Sequence, residues 1–151
     1  PQADIIICPI GGGAGCASLL KTARAIKPDI EIIGVEAQNA SSFYHSWKKG
    51  EIVTLDEART IADGLAARTV FHLPYVILKN TINDVVLLTE DEILEGVRMA
   101  LNTTHNLAEA AGAVSLMAAY KIRDRISGKR VVMIMSGGHM EMDHLKKAIG
   151  C

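Results

Sequence analysis

The run Ile5-Ile6-Ile7-Cys8-Pro9-Ile10-Gly11-Gly12-Gly13-Ala14-Gly15 limits what this chain can fold into more than any other. A continuous apolar stretch enters a glycine cluster, and a helical pattern follows from Ala14 to Lys27, where Pro28 stops it. Such a strand is covered on both faces, as in a parallel sheet. The glycines let the backbone turn tightly and bring its N–H groups against a guest, and the helix start adds free donors and partial positive charge. The guest expected there is a phosphate; the alternative is a plain strand–turn–helix corner. No Gly-Lys-Ser/Thr follows Gly15, so the nucleoside-triphosphate loop is excluded. The dinucleotide pattern G-x-G-x-x-G breaks at Cys16.

The 151 residues suffice for one domain with a real core. An apolar share of 49% and a net charge of -1 argue against disorder, a nucleic-acid partner or a polybasic membrane contact. No apolar run reaches the length of a membrane span, and no signal peptide is visible. Three cysteines, Cys8, Cys16 and Cys151, do not make a disulfide framework, and a reducing cytoplasm fits them. With no initiator Met and a core strand almost at once, the chain reads as part of a longer protein.

Ile30 to Val35 is a second strand, ending at Glu36, so the segment around the glycines reads as a strand–helix–strand crossover onto a parallel sheet. Leu19, Leu20, Ala23 and Ile26 form the inward face of its helix. Asn39 to Lys48 reads as a short helix closed by Gly50, and 51–59 as a polar loop. Thr60-Ile61-Ala62-Asp63-Gly64-Leu65 is a compact turn. Val70 to Lys79 is ambiguous because of Pro74. Asp84 to Leu88 is a strand, followed by the capping box Thr89-Glu90-Asp91-Glu92 and a helix with Ile93, Val97, Ala100 and Leu101 on its apolar face. Glu109-Ala110-Ala111-Gly112-Ala113 opens a helix buried on most sides, in which Gly112 costs about 1 kcal/mol against Ala and calls for a close contact. Val131 to Met135 reads as another buried strand, running into Ser136-Gly137-Gly138, and a last helix spans about Met140 to Ile149. The fold class is α/β: an open, mostly parallel sheet with helices on both faces.

The segments PIGGGAG, GVEAQNASS, TIADG, EAAGA and MSGG, in this order, resemble the threonine dehydratase and serine racemase family of fold-type II pyridoxal-phosphate enzymes. The resemblance covers essentially the whole chain and corresponds to the C-terminal half of such an enzyme. It implies one partial, cofactor-binding large domain over 1–151, with the N-terminal half and the small substrate domain lying elsewhere. It also implies pyridoxal 5'-phosphate as cofactor. Gly11, Gly12, Gly13, Ala14 and Gly15 would hold its phosphate, and Ser136 would bond the ring nitrogen. Glu109 and the main chain at Gly64 would lie beside the ring. A hydroxyl does not hold the ring nitrogen protonated as a carboxylate would, which suits β-elimination.

Two departures from the family pattern stand out. Glu36 and the carbonyl of Ala40 match two ligands of a divalent-cation site, but Ser42 stands where its aspartate would be. A hard cation wants that oxygen, so no metal is assigned, and Glu36 and Ala40 stand only as weak candidate ligands for a divalent cation. His139 replaces the usual Asn after Ser-Gly-Gly, and helical spacing scatters His139, Glu141, Asp143 and His144 over more than one face. No lysine sits where the family's Schiff-base lysine belongs, so the chain alone is not expected to catalyse. The resemblance implies a parent ammonia-lyase that converts L-threonine or L-serine to a 2-oxo acid and ammonia, cytoplasmic and homo-oligomeric, with a small amino acid as substrate. A serine/threonine racemase, a non-catalytic binder of pyridoxal phosphate or phosphate, and a nucleotide-binding unit are the alternatives.

Overall fold

A computed structural model describes residues 2–150. Four parallel strands form one sheet: β1 (Ile5–Pro9), β2 (Glu31–Ala37), β3 (Asp84–Leu88) and β4 (Val131–Met133), in the order β3-β2-β1-β4. The register is in step, with Ile5 against Glu31 on one side and against Val131 on the other. β1 therefore sits inside the sheet. The chain builds outward from it to β2 and β3, then crosses back to place β4 on its other flank.

The period-two alternation of these strands splits the core into two layers. Ile5, Ile7, Ile33, Val35, Val86 and Leu88 pack on one face against α4 (Glu90–Thr104) and α5 (Ala110–Lys121). Cys8, Ile32 and Val85 face the other way, toward α1 (Ala14–Ile26), α2 (Ser42–Lys49) and α3 (His72–Leu78). The expected parallel sheet with helices on both faces is what the chain forms. At the amino edge Asp4 ties β1 to its neighbours through ion pairs with Arg130 at 3.2 Å and Lys27 at 3.3 Å.

Local chemistry explains most element ends. Thr89 accepts from the Glu92 N–H at 3.3 Å while the Glu92 carboxylate takes the Thr89 N–H at 2.8 Å, closing the capping box expected from the sequence. Pro74 falls in the first turn of α3, where a missing N–H breaks no intrahelical bond, so it does not prevent the helix. Gly50 closes α2 in the left-handed conformation.

Three expectations are corrected. Ile26 does not face the core: it is 61% exposed at the end of α1, beyond the point where the helix rests on the sheet. The run 131–135 is shorter than expected and not buried, with Val132 42%, Met133 41% and Met135 44% exposed, because β4 is the edge strand. The region 39–48 divides into a short 3₁₀ turn at Gln38–Ala40 and α2. No helix among the described residues is long and apolar enough to cross a membrane.

Candidate functional site

In an open parallel sheet a ligand site forms beyond the carboxyl ends of two adjacent strands whose connections leave in opposite directions. Here those strands are β1 and β4. The glycine loop follows β1 and Ser136 follows β4, so two segments more than a hundred residues apart meet at one crevice. Gly11, Gly12, Gly13, Ala14 and Gly15 line a cleft of about 420 Å³ together with Gly64, Glu109 and Ser136. All eight residues that the resemblance gives to the cofactor thus line one space.

The loop is shaped for an anion. Gly13 has φ of 90°, a left-handed conformation that turns the chain into α1 and that side chains rarely adopt. The first backbone bond of α1 runs from the Ala17 N–H to the Gly13 carbonyl at 2.9 Å. Ahead of it, the N–H groups of Ala14, Gly15 and Cys16 have no intrahelical acceptor and stand at the positive end of the helix dipole. At Gly15 an added Cβ would meet nothing within 4 Å, so the space before the helix is open. At Gly11 a Cβ would lie 2.4 Å from the Gly64 carbonyl oxygen, so loop and turn pack backbone against backbone. These donors and this open cradle fit a phosphate.

The opposite wall is held by α5. The Glu109 N–H donates to the Gly137 carbonyl at 3.1 Å, and a Cβ on Gly112 would lie 2.5 Å from the same oxygen. The close contact called for by Gly112 is therefore the Ser-Gly-Gly turn itself. Glu109 is the N-cap residue of α5, half-buried at the boundary between the cleft and a smaller neighbouring pocket of about 210 Å³. His139, Glu141 and His144 line that second pocket, so the unusual histidine after Ser-Gly-Gly lies next to the cleft rather than in it. No three His, Cys, Asp or Glu side chains among the described residues are grouped to hold a metal ion.

Glu36 lies away from the cleft, in a different role. It is fully buried, and its two carboxylate oxygens accept the N–H groups of Phe43 at 2.9 Å and Tyr44 at 2.7 Å, the first free donors of α2. Burial pushes its pKa up to about 8, against the opposing pull of these two donors. Ser42 beside it is also fully buried, with its hydroxyl lacking a hydrogen-bond partner. Ala40 is buried in the turn between them.

Cys8, Leu65, Phe71 and Ile134 also line the cleft and were not assigned to the site from the sequence. Leu65 and Phe71 come from the turn and segment after Gly64, and Phe71 is anchored by donating its N–H to the Gly12 carbonyl at 3.0 Å. Only the adjacency of Leu65 to the TIADG turn could have pointed to it; nothing in the sequence marks Phe71.

A family model described as pyridoxal-phosphate dependent enzyme matches residues 1–137. The chain belongs to the pyridoxal-phosphate dependent enzymes. It is 32% identical over 149 residues to the catabolic L-threonine dehydratase TdcB of Escherichia coli K12, covering 97% of this chain and 45% of that protein. It is 27% identical to the L-threonine ammonia-lyase of Thermotoga maritima, covering 99% of this chain and 37% of that one. Among solved structures, the processed form of threonine deaminase isoform 2 from Solanum lycopersicum superposes with a TM-score of 0.91 at 30% identity, over 99% of this chain and 44% of that chain. Maize serine racemase does so with a TM-score of 0.89 at 29% identity, over 99% and 47%. The chain spans less than half the length of these relatives. The fold-type II architecture and the family expected from the five motifs are both upheld.

Proposed function

We propose that this chain is the cofactor-phosphate-binding part of a pyridoxal-phosphate dependent ammonia-lyase acting on L-threonine or L-serine. The observation that carries this reading is the meeting of the glycine cradle after β1 with Ser136 after β4 at the one point where the sheet reverses its connections. When bound, pyridoxal phosphate supplies the electron sink for breaking bonds at an amino-acid α-carbon. The chain's own residues do the rest of what lies here. The N–H groups of Ala14, Gly15 and Cys16 would hold the phosphate without a countercharged side chain. Ser136 offers its hydroxyl to the ring nitrogen as a neutral partner. Gly11 and Gly64, packed backbone on backbone, would fix the loop against the turn, and Leu65 and Phe71 would give that side of the cleft an apolar wall.

No lysine is among the residues that line the cleft. The covalent anchor and the groups that hold the substrate carboxylate would come from the rest of the polypeptide, an N-terminal half and small domain of the same cytoplasmic, homo-oligomeric enzyme. The test is release of 2-oxo acid and ammonia from L-threonine and L-serine by the full-length protein supplied with pyridoxal phosphate. Turnover of either substrate is expected; none with both would sink the reading. Two other outcomes separate the rivals. Formation of D-serine without 2-oxo acid would make the protein a racemase, as the likeness to maize serine racemase allows. Binding without turnover in the full-length protein would leave a cofactor-binding module, the reading that the lysine-free cleft favours for this chain by itself.

A further inference from the structure

The turn that supplies Gly64 and Leu65 to the cleft has little regular structure of its own to hold it. Residues 55–62 ahead of it form neither helix nor strand, and the turn itself is a single 3₁₀ turn, Asp63–Leu65. The loop is closed at its base, where the Leu55 N–H donates to the Arg68 carbonyl at 2.8 Å and Thr54 bridges to Thr69. Above that base, among the described residues, the hydrogen bonds from 56–67 to other parts of the chain all end on one side chain, Glu90 in the first turn of α4. One of its carboxylate oxygens accepts the Ile61 N–H at 2.9 Å and the Thr60 hydroxyl at 3.2 Å. That hydroxyl oxygen in turn accepts the Ala62 N–H at 3.1 Å. The Ala62 carbonyl takes the Leu65 N–H at 2.7 Å, which starts the 3₁₀ turn that carries Gly64 against Gly11. Glu90 does not line the cleft, and Thr89 and Glu92 already cap α4 without it.

We infer that Glu90 is a positioning residue for the cofactor, which holds the turn at 60–65 against the glycine loop by the reach of its carboxylate and not by its charge. The inference rests on the cofactor reading of the cleft. A segment with so few bonds to the body opens locally unless something fixes it, and a loosened turn no longer presents one wall of the cleft in a single place. The second carboxylate oxygen of Glu90 is shut off from solvent and has no partner. Only the oxygen that meets the turn is used, so an amide oxygen at the same reach can accept the same two bonds. A carboxylate one methylene shorter keeps the negative charge at the helix start but draws back from Ile61 and Thr60. An acid that served only to favour the start of α4 would behave in the opposite way, tolerating the shorter carboxylate and suffering from the amide.

The experiment compares Glu90→Gln, Glu90→Asp and Thr60→Val in the full-length protein freed of cofactor. Titration calorimetry gives the Kd for pyridoxine 5'-phosphate, which carries the phosphate and ring but no aldehyde to react with lysines. Hydrogen exchange of peptides covering 60–65, followed by mass spectrometry without ligand, reads the turn itself. Glu90→Asp should weaken binding roughly tenfold and quicken exchange by a similar factor, as expected for loss of bonds to a charged acceptor. Glu90→Gln should stay within about twofold of the parent in both measurements, since its oxygen remains an acceptor at the same reach. Thr60→Val, which keeps the Ile61 bond, should fall between the two. The reverse order of Gln and Asp, or exchange at the parent rate in Glu90→Asp, overturns the inference. So does faster exchange with unchanged binding, because the tether would then not serve the cofactor. If the parent protein binds no pyridoxine phosphate, the cofactor reading fails and the positioning role falls with it, while the exchange rates still show whether Glu90 tethers the turn.

Discussion

The two flanks of β1 are built to different standards. On one side β2 is buried along nearly its whole length, and its Glu36 is sealed inside with both oxygens bonded to the start of α2. On the other side β4 is short, and Val132 and Met133 are each about two-fifths exposed, at 42% and 41%. The cleft lies over the boundary between them. Its cradle is therefore joined to a fully buried wall, while Ser136 stands exposed on the other. Substitutions on the first side should register in stability, and those on the second in binding and association.

The sharpest way to break this contrast is at the glycines. Gly11→Ala places a methyl group against the Gly64 carbonyl and should destabilise the protein on the order of 3 kcal/mol in urea denaturation. Gly15→Ala, a few residues away in open space within α1, should be neutral or stabilising by up to about 1 kcal/mol, yet weaken pyridoxine phosphate binding by filling the cradle. Equal losses of stability at the two positions would mean that the cradle is not organised as described.

Glu36→Ala should cost about 2 kcal/mol at pH 5.5, because two buried helix donors lose their acceptor. The deficit should shrink with pH. The folded-state pKa of Glu36 is raised from 4.5 to about 8, so the folded protein binds the extra proton. Its contribution is fully present below pH 4.5 and is lost as pH rises through about 8. Denaturation curves at several pH values between these limits should converge for the two proteins; parallel curves would show that Glu36 is ionised throughout. Next in size, Thr89→Ala should remove about 1 kcal/mol by opening the capping box, without altering the cleft.

The β4 side should give the smallest stability effects. Ser136→Ala should shift unfolding by less than about 0.5 kcal/mol, since the residue is exposed. It should nevertheless weaken pyridoxine phosphate binding measurably in titration calorimetry. Val132→Lys and Met133→Lys should be similarly silent in unfolding while reducing self-association in light scattering, because they break up an apolar edge.

The chain shows how far local patterning reaches. Strand β1, helix α1, the Thr89 capping box and the buried α5 follow from apolar period, caps and glycine placement, because each is decided by neighbours within a turn or two. The five motifs, taken in order, led to the family and to eight of the residues that line the cleft. Sheet order did not follow from them. That β4 returns to the free flank of β1, and so brings Ser136 to the glycine loop, depends on pairing across more than a hundred residues. The fate of equally apolar runs was also invisible locally: Ile5 to Pro9 is enclosed by partners on both sides, whereas Val131 to Met133 lies at an edge. The same holds for Glu36, a strand-end acid by sequence, which only the approach of α2 turns into a sealed helix cap. Composition and period decide which residues can be buried; which of them are depends on what the tertiary structure brings against them.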